Sequence, residues 1–369
     1  MAGVYIHFPF CKKKCLYCDF FSKANQDFFI SDFLNALIKE INFRAEIFSP
    51  GDKTVDTIYF GGGTPSLLKP AQIENVLNSL RSVFSLSNKA EITVEANPGT
   101  LSFDLLCGYR KIGINRLSIG VQSFNNKELK FLGRIHTAEE AEEFFFEAQK
   151  VGFDEIGIDL IYSLPDQSIK SWERNLDKVL SLRPTHISTY ALTWRSATPL
   201  GKAIEKGKYP YPDDETTAEM YLLICKMFSE AGYEHYEISN FALPGHRCRH
   251  NEGYWTGKPY LGLGPSAHSY INGRRFWNIS SIQKYIEILS QDKLPVFGEE
   301  KLNPRQKFME RIVLGLRRRE GVSIEELKNK RQEITNLVQA GFAVFKDGFL
   351  SLTARGFLLA DEIATRLVL

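Results

Sequence analysis

The stretch Tyr5-Ile-His-Phe-Pro-Phe-Cys11-Lys-Lys-Lys-Cys15-Leu-Tyr-Cys18-Asp-Phe20 contains three cysteines with C-x3-C-x2-C spacing, directly after a short apolar segment. Thiolates this close together suit a soft metal or an iron–sulfur cluster. A structural zinc site needs four ligands, and no fourth Cys or His lies within reach along this loop. Three unrelated surface cysteines are the alternative. We interpret Cys11, Cys15 and Cys18 as ligands of a 4Fe–4S cluster with one iron left open for a small molecule.

The composition is that of an ordinary globular protein, with 43% hydrophobic and 24% charged residues in a chain of 369. The net charge of +2 gives no global field that would attract nucleic acid or an anionic membrane. No apolar run approaches the roughly 18–20 residues that a membrane span needs. Cys107, Cys225 and Cys248 are scattered, which argues against a disulfide framework, and the N-terminus shows no signal peptide. We therefore expect a cytoplasmic protein without a nucleic-acid partner.

Outward from the cysteines, short apolar segments alternate with segments of helical periodicity. Apolar residues that recur every three to four positions between Ile30 and Ile41 predict the first helix. The predicted strands are residues 4–8, 56–60, 91–96, 116–121, 155–162 and 186–191. Strands that alternate with helices form a parallel sheet with the helices outside. The sequence therefore predicts an α/β fold, an open or partial (β/α)6 barrel.

In each strand–helix unit, polar residues gather where the strand ends. They are the cysteines after the first strand, Gly61, Gly62, Gly63 and Thr64 after the second, Glu95 in the third, Gln122 and Ser123 after the fourth, Asp159 late in the fifth, and Thr189 and Tyr190 closing the sixth. Barrel enzymes build their sites at this end of the strands, so we expect one common site.

Several of these residues have a second interpretation. Residues 61–64 lack the pattern of a phosphate-binding loop, and a tight turn explains them equally well unless a ligand must approach the backbone closely. Glu95 and Asp159 suit ribose hydroxyls, but solvated or ion-paired carboxylates are the alternative. Gln122 can donate amide hydrogen bonds, and Arg134 is either a surface residue or a charge-assisted partner of a carboxylate.

After residue 192 the alternation stops, and the segment His246-Arg-Cys-Arg-His250-Asn251-Glu-Gly-Tyr254-Trp255 reads as a loop. A polar surface group is one interpretation of His250, and a haem site is the other. A zinc site would need more thiolates than this segment provides. The segment's haem ligands, stacking groups and propionate partners would come from His246, Cys248, His250, Tyr254, Trp255, Arg247 and Arg249.

The C-terminal part of the chain predicts a small separate module. Asn303-Pro304 opens a helix that runs to Leu316, and two helices, a hairpin turning at Asp347-Gly348 and a last helix follow. This order resembles a winged helix. We expect three domains: a barrel at 1–195, an α+β extension carrying the His250 loop at 196–300, and the winged-helix-like module at 301–369.

The motifs together resemble the HemN/HemW family of radical S-adenosylmethionine (SAM) proteins over nearly the whole chain. The resemblance rests on Tyr5-Ile-His7-Phe-Pro-Phe-Cys11, Gly61-Gly-Gly-Thr64-Pro65, Glu95-Ala-Asn97-Pro98, Ser118-Ile-Gly-Val-Gln122-Ser-Phe, Arg134, Gly157-Ile-Asp159-Leu-Ile and the Ala191 region. It implies that Cys11, Cys15 and Cys18 hold the cluster. It also implies SAM contacts from Tyr5, Tyr17, Gly62, Gly63, Thr64, Glu95, Gln122, Arg134, Asp159 and Ala191.

Three features place the chain in the haem-chaperone branch of this family rather than among the oxygen-independent coproporphyrinogen III oxidases. The oxidases continue the motif to C-x3-C-x2-C-x-C, whereas this chain has Phe20 at the last position. They also carry a longer segment before the motif, and only ten residues precede Cys11 here. His250, Asn251, Tyr254 and Trp255 match the HNxxYW signature of the chaperone branch.

The resemblance implies a chaperone that binds a 4Fe–4S cluster, SAM and haem and delivers haem to haem-requiring apoproteins such as membrane respiratory enzymes. It implies monomer–dimer exchange and no catalytic residues for the oxidase reaction. The alternative is the oxidase itself, in which a SAM-derived radical starts two decarboxylations of propionate side chains.

Overall fold

The computed structural model describes residues 2–48, 54–211 and 213–368. Its strands are β1 (Ala2–Phe8), β2 (Phe10–Cys11), β3 (Lys23–Ala24), β4 (Thr54–Gly62), β5 (Ser85–Ala96), β6 (Arg116–Gln122), β7 (Glu155–Tyr162), β8 (His186–Ala191), β9 (Glu234–Glu237), β10 (Asn240–Ala242), β11 (Tyr260–Leu263), β12 (His268–Ile271), β13 (Arg274–Asn278), β14 (Val296–Lys301), β15 (Val322–Ser323), β16 (Ala343–Lys346) and β17 (Phe349–Leu352).

The α-helices are α1 (Ile30–Phe43), α2 (Pro70–Val83), α3 (Phe103–Lys111), α4 (Asn126–Leu132), α5 (Ala138–Val151), α6 (Ile169–Leu182), α7 (Pro199–Glu205), α8 (Asp214–Glu230), α9 (Arg249–Trp255), α10 (Ile282–Ser290), α11 (Pro304–Leu316), α12 (Arg331–Gln339), α13 (Ala354–Phe357) and α14 (Ala360–Val368). Short 3-10 helices occur at Asp27–Phe29, Pro65–Leu67 and Ile324–Lys330. Within the described ranges, no helix is both long and apolar enough to span a lipid bilayer.

The chain forms two compact units whose segments interleave along the sequence. The first unit comprises the described residues up to Ile161, together with Leu192–Tyr211 and Lys258–Lys301. The second comprises Tyr162–Ala191 and the described parts of Pro212–Gly257 and Leu302–Leu369. The predicted division into domains at 195 and 300 stays a prediction.

The first unit is built on a sheet that begins with consecutive parallel strands. β1, β4, β5, β6 and β7 pair in chain order, each parallel to the next. On the other side of β1, β11 pairs in parallel, and β12, β13 and β14 extend the sheet with antiparallel pairs. Because parallel strands end at the same edge, the polar residues at their carboxyl ends come together.

An aromatic cluster fixes the chain where it leaves β1. Phe8, Phe10 and Phe33 of α1 are at most 1% exposed, and their ring centroids lie 5.0–5.9 Å apart. Aromatic pairs at such separations each contribute about 0.5–1.5 kcal/mol beyond the burial of apolar area. The chain therefore enters the cysteine segment from a rigid anchor.

The second unit contains the strands β8, β9 and β10, one small separate sheet and the C-terminal helices. β8, β10 and β9 form antiparallel pairs in that order. β15, β17 and β16 form a separate antiparallel sheet near the C-terminus. Asn303 caps α11 with its side chain on the Gln306 amide, at a helix start where Pro304 is the first residue.

The six strands predicted from the sequence are confirmed as β1, β4, β5, β6, β7 and β8, and with them the α/β class. The winged-helix character of the C-terminal module stays a prediction, although its helices and hairpin are present. A turn at Ile238 and Ser239 separates β9 from β10. The predicted loop around His250 is wrong, because residues 249–255 form the helix α9.

α4 is one of the helices that were not predicted. α4 is only seven residues long and mostly polar, so it has too few apolar positions to show a period. Its ends are nevertheless well defined: the Asn125 side chain accepts from the Lys127 amide at 2.9 Å, and Gly133 ends it with a φ of 78°.

Candidate functional site

The three cysteines lie on one short loop, residues 12–22 with Cys11 at its start, which we call the cluster loop. β2 and β3 pair in parallel across its ends, with Cys11 opposite Ala24. The Cys18 amide donates to the Cys15 carbonyl at 3.3 Å, so the loop turns back between these two cysteines. All three thiols are half-buried. The loop is thus closed at its base and keeps its sulfur atoms together.

Neighbouring groups set the electrostatics of these thiols. Burial raises the pKa of Cys11, and hydrogen bonds from Thr64 and Ser22 partly oppose this. Burial likewise raises the pKa of Cys18. Arg134 places Nη1 3.5 Å from Cys15 Sγ, so a cation lies beside this sulfur. The three cysteine sulfur atoms would bind three irons of a cluster, and the Arg134 cation would lie beside it. The side chains present therefore fit such a cluster.

α4 holds the cluster loop from outside. The Leu16 amide donates to the Leu132 carbonyl at 3.2 Å, and the Leu16 carbonyl accepts from the Leu200 amide at 3.0 Å. Tyr17 is half-buried in the same loop, and burial raises its pKa. Phe20 is 66% exposed, so the residue that replaces the oxidase cysteine points into solvent.

The glycine stretch packs directly on the chain that leads to Cys11. The Gly63 amide donates to the Phe8 carbonyl at 2.7 Å, and the Thr64 amide donates to the Phe10 carbonyl at 2.8 Å. Gly62 has a φ of +110°, and a Cβ there would lie 2.6 Å from the His7 ring. Glycine is therefore required at these positions, because the chain before Cys11 lies too close for a Cβ. The glycines present backbone rather than side chains to the cluster loop.

His7 has one defined tautomer. Its Nε2 lies 2.7 Å from the Phe21 carbonyl, which can only accept, so Nε2 carries the proton. The Tyr5 hydroxyl then donates to His7 Nδ1 at 3.0 Å. Burial lowers the pKa of His7 to about 4, which keeps the ring neutral. His7 thereby ties the end of β1 to the far end of the cluster loop.

Two carboxylates face each other at the ends of β5 and β7. Glu95 accepts from the Tyr59 hydroxyl at 3.0 Å and from the Gly62 amide at 3.1 Å. Burial, and then the charge of Asp159, raise the pKa of Glu95 to about 7. Asp159 accepts from the Ser118 hydroxyl at 3.0–3.2 Å. Both side chains are half-buried, so each can still accept from the hydroxyls of a ligand.

Arg134 connects the cluster loop to two strand ends. Its Nη2 donates to Asn97 Oδ1 after β5 and to the Gly120 carbonyl in β6. Gln122 ends β6 with a φ of 72°, a left-handed conformation uncommon for a residue with a side chain. Such conformations often mark ligand sites, where the surrounding structure holds them.

Nine of the ten predicted SAM residues lie in the first unit, on its parallel strands or on its loops. They are Tyr5, Tyr17, Gly62, Gly63, Thr64, Glu95, Gln122, Arg134 and Asp159. Ala191 ends β8 in the second unit. Tyr59, Ser118 and Asn97 were not assigned a role from the sequence. Tyr59 and Ser118 could have been found, because Tyr59 is the register partner of Tyr5 and Ser118 is the register partner of Glu95.

α9 in the second unit carries the HNxxYW residues, and we call it the signature helix. His250 is 3% exposed, and its Nε2 lies 2.9 Å from the Tyr254 hydroxyl one turn later. Burial lowers the pKa of His250 to about 3, so the imidazole is neutral, the form that ligates iron. Asn251 is half-buried on the same helix. Trp255 lies under the Arg317 guanidinium, 5.3 Å from the ring centroid.

Arg247 does not serve as the free cation that the sequence suggested. Its guanidinium contacts Glu234, Glu252 and Glu320 at 2.7–3.1 Å, so three carboxylates already neutralise it. A haem propionate would have to displace at least one of them. Arg247 therefore orders the chain before the signature helix, and its guanidinium is not available to an anionic ligand.

Comparisons with known proteins agree with this geometry. Residues 5–179 match the Radical SAM superfamily. The chain is 34% identical to the heme chaperone HemW of Lactococcus lactis subsp. lactis, over 100% of this chain and 97% of that protein. It is 37% identical to the heme chaperone HemW of Mycobacterium tuberculosis, over 99% and 94%.

A solved structure shares the fold. Coproporphyrinogen III oxidase (HemN) from Escherichia coli, a radical SAM enzyme, superposes with a TM-score of 0.86 at 24% identity, covering 99% of this chain and 89% of that one. At this identity the match establishes the fold alone, whereas the full-length HemW relatives establish the family. The chain belongs to the HemW family of the radical SAM superfamily.

Proposed function

We propose that this protein is a haem chaperone that binds haem, a 4Fe–4S cluster and SAM and passes haem to haem-requiring apoproteins. The observation that carries the proposal is the full-length similarity to proteins named heme chaperones, at 34–37% identity. The signature helix supports the proposal, because it carries a buried neutral His250 and the aromatic residues Tyr254 and Trp255. No residue is assigned a role in oxidative decarboxylation.

In this proposal Cys11, Cys15 and Cys18 hold the cluster. Its open iron supplies a binding position for the amino and carboxylate groups of SAM. Arg134 would lie beside the cluster, because its Nη1 is 3.5 Å from Cys15 Sγ. The backbone of residues 62–64 gives the ligand a surface without side chains, because Gly62 and Gly63 leave no room for a Cβ.

Glu95 and Asp159 would accept hydrogen bonds from the ribose hydroxyls of SAM. Glu95 already holds the Gly62 amide at 3.1 Å, so ribose binding and the conformation of the glycine stretch depend on the same carboxylate. Tyr5, Tyr17, Thr64, Gln122 and Ala191 are the remaining proposed contacts.

His250, Asn251, Tyr254 and Trp255 would form the haem site. His250 is neutral but hydrogen-bonded to Tyr254, so ligation of iron through Nε2 requires the Tyr254 hydroxyl to move away. Trp255 would contact the porphyrin through its apolar ring. The acceptors would be haem-requiring apoproteins, membrane respiratory enzymes among them, and the protein would act in the cytoplasm and exchange between monomer and dimer.

The test is a pair of assays on the same anaerobically reconstituted protein, one for haem binding and one for coproporphyrinogen III consumption. We expect haem binding at micromolar concentration and no consumption with SAM and reductant present. His250→Ala should weaken haem binding or change its absorption spectrum. His268→Ala, which removes an exposed histidine in the first unit, is the matched control.

Two results would overturn the proposal. One is efficient conversion of coproporphyrinogen III to protoporphyrinogen IX without haem binding, which would favour the oxidase. The other is a protein that binds no haem at micromolar concentration although its cluster is complete.

A further inference from the structure

The cations around the signature helix are not equally available to an anionic ligand. Arg247 contacts three carboxylates, and Arg318 pairs with Glu320 at 3.0 Å. Arg319 lies 3.9 Å from Glu234. Arg317 differs, because its ion pair within the described residues is with Asp361, whose side chain is 84% exposed. An ion pair with a carboxylate so exposed is weak and easily exchanged.

Two N–H donors, one on Arg317 and one on Trp255, have no partner in the part of the chain that the structure describes. The Arg317 Nε and the Trp255 Nε1 are both shielded from solvent, and neither makes a hydrogen bond to a described residue. A buried donor without an acceptor costs free energy, and such groups in native proteins point to a missing partner. The two belong to side chains in direct contact, since the guanidinium lies 5.3 Å from the centroid of the indole ring. Because the cation covers a ring face, the indole N–H stays available at the ring edge.

The buried carboxyl of Glu237 does not satisfy these donors. It interacts electrostatically with Arg317, but its Oε1 is taken by the Asn240 side-chain amide and the Ser239 backbone amide, and its Oε2 makes no hydrogen bond to any described residue. Burial raises the pKa of Glu237 to about 7, so near neutral pH the carboxyl is partly protonated. Part of the Arg317 charge therefore remains for a ligand.

We propose that Arg317 and Trp255 form a carboxylate-binding subsite beside the signature helix, and that its ligand is a propionate of haem. The inference rests on the proposed haem binding. One carboxylate offers acceptor oxygens to both the guanidinium and the indole N–H, and charge-assisted bonds of this kind are the stronger ones. The propionate would replace Asp361, which returns to water. Trp255 then contributes a hydrogen bond in addition to its apolar ring.

The first arm of the test needs no substitution. Haem and haem dimethyl ester have the same iron and ring, but the ester lacks the carboxylate charge. Wild-type protein should bind haem about 10- to 100-fold more tightly than the ester, as expected for a lost hydrogen bond to a charged group. Equal affinity for both would overturn the subsite. No binding of either would overturn the proposed haem function, and the subsite with it.

The second arm assigns the preference to residues. Trp255→Phe keeps one aromatic ring and removes the N–H together with the second ring of the indole. Arg317→Met removes the charge while keeping an unbranched side chain. Each should weaken haem binding about tenfold or more and bring haem and ester close to equal affinity. Arg319→Met, a neighbouring and more exposed arginine, should keep the wild-type preference. An unchanged preference in Trp255→Phe and Arg317→Met would overturn the assignment.

Discussion

Glu95 gives the unfolding free energy of this protein a specific dependence on pH. Its pKa rises from an ordinary value of 4.5 to about 7, first because the carboxyl is desolvated and second because Asp159 lies nearby. The folded state therefore holds a proton that the unfolded state has released between these values. A group with a raised folded pKa stabilises the fold fully below its unfolded pKa, and the contribution is lost as pH rises through the folded value.

The difference between the two pKa values corresponds to about 3 kcal/mol. Wild-type protein should lose this amount between pH 4.5 and pH 8, in addition to what all other groups contribute. Glu95→Gln cannot ionise and keeps one oxygen, which can accept either from the Tyr59 hydroxyl, bound to Oε1 of the wild-type carboxyl, or from the Gly62 amide, bound to Oε2. The hydrogen bond that the variant loses is missing at every pH. The unfolding free energy of the variant should therefore increase relative to that of the wild type as the pH rises.

The assay is chemical denaturation of the cluster-free protein at half-unit steps from pH 4.5 to pH 8. At each pH, the unfolding free energy of the wild type is subtracted from that of the variant. Glu287→Gln removes an exposed carboxylate on α10 and is the control, for which this difference should stay nearly constant. If the Glu95→Gln and wild-type curves run parallel over the whole range, the burial of Glu95 and its coupling to Asp159 are misassigned.

Three further predictions follow from the cluster loop and the strand ends. Cys15→Ala should abolish the 4Fe–4S centre, since two thiolates cannot hold three irons, whereas Cys107→Ala should retain it. Iron and sulfide analysis after anaerobic reconstitution measures the cluster content, and full cluster occupancy in Cys15→Ala would contradict the prediction. Asp159→Ala should weaken SAM binding about 10- to 100-fold and leave the cluster intact, and unchanged affinity in equilibrium dialysis would exclude its ribose contact. Gly62→Ala should destabilise the protein by about 1–3 kcal/mol more than Gly152→Ala. Both positions have a positive φ, but only a Cβ at position 62 would meet the His7 ring. Equal losses of unfolding free energy in denaturant titrations would refute the close approach of residue 62 to His7.

The sequence predicted the features that depend on local pattern. The C-x3-C-x2-C spacing fixed the cluster loop, and the periods of two and 3.6 residues located the six strands and most of the helices that position Glu95 and Asp159. Side chains at the ends of parallel strands meet at one edge, so the common location of these carboxylates followed from strand order.

Features that depend on partners distant in sequence were not predicted. Glu40 lies on the amphipathic helix α1, yet it is fully buried. Its carboxylate accepts from the Gly264 amide, the Asn278 side chain and the Tyr285 hydroxyl, all more than 220 residues away. Nothing in the local pattern of α1 distinguishes this glutamate from an exposed one.

The signature helix shows the same limit. Its polar and aromatic residues give no helical period, so the segment read as a loop. In the haem interpretation, the sequence suggested Arg247 and Arg249 as propionate partners because they lie on the same segment as His250. Arg247 is instead neutralised by carboxylates, one of them at Glu320, whereas the arginine that stacks on Trp255 is Arg317. Contact in the folded chain, rather than closeness in sequence, decides which cation is available.

The most direct test of the chaperone proposal is transfer of haem in the presence of a scavenger. Protein loaded with haem is mixed with the apo form of a haem-requiring respiratory enzyme and an excess of an apoprotein that captures free haem. Delivery through contact predicts that the enzyme recovers activity despite the scavenger, whereas free haem added in the same amount gives none. If the scavenger abolishes recovery equally for loaded protein and for free haem, the protein only releases haem, and the central claim is contradicted.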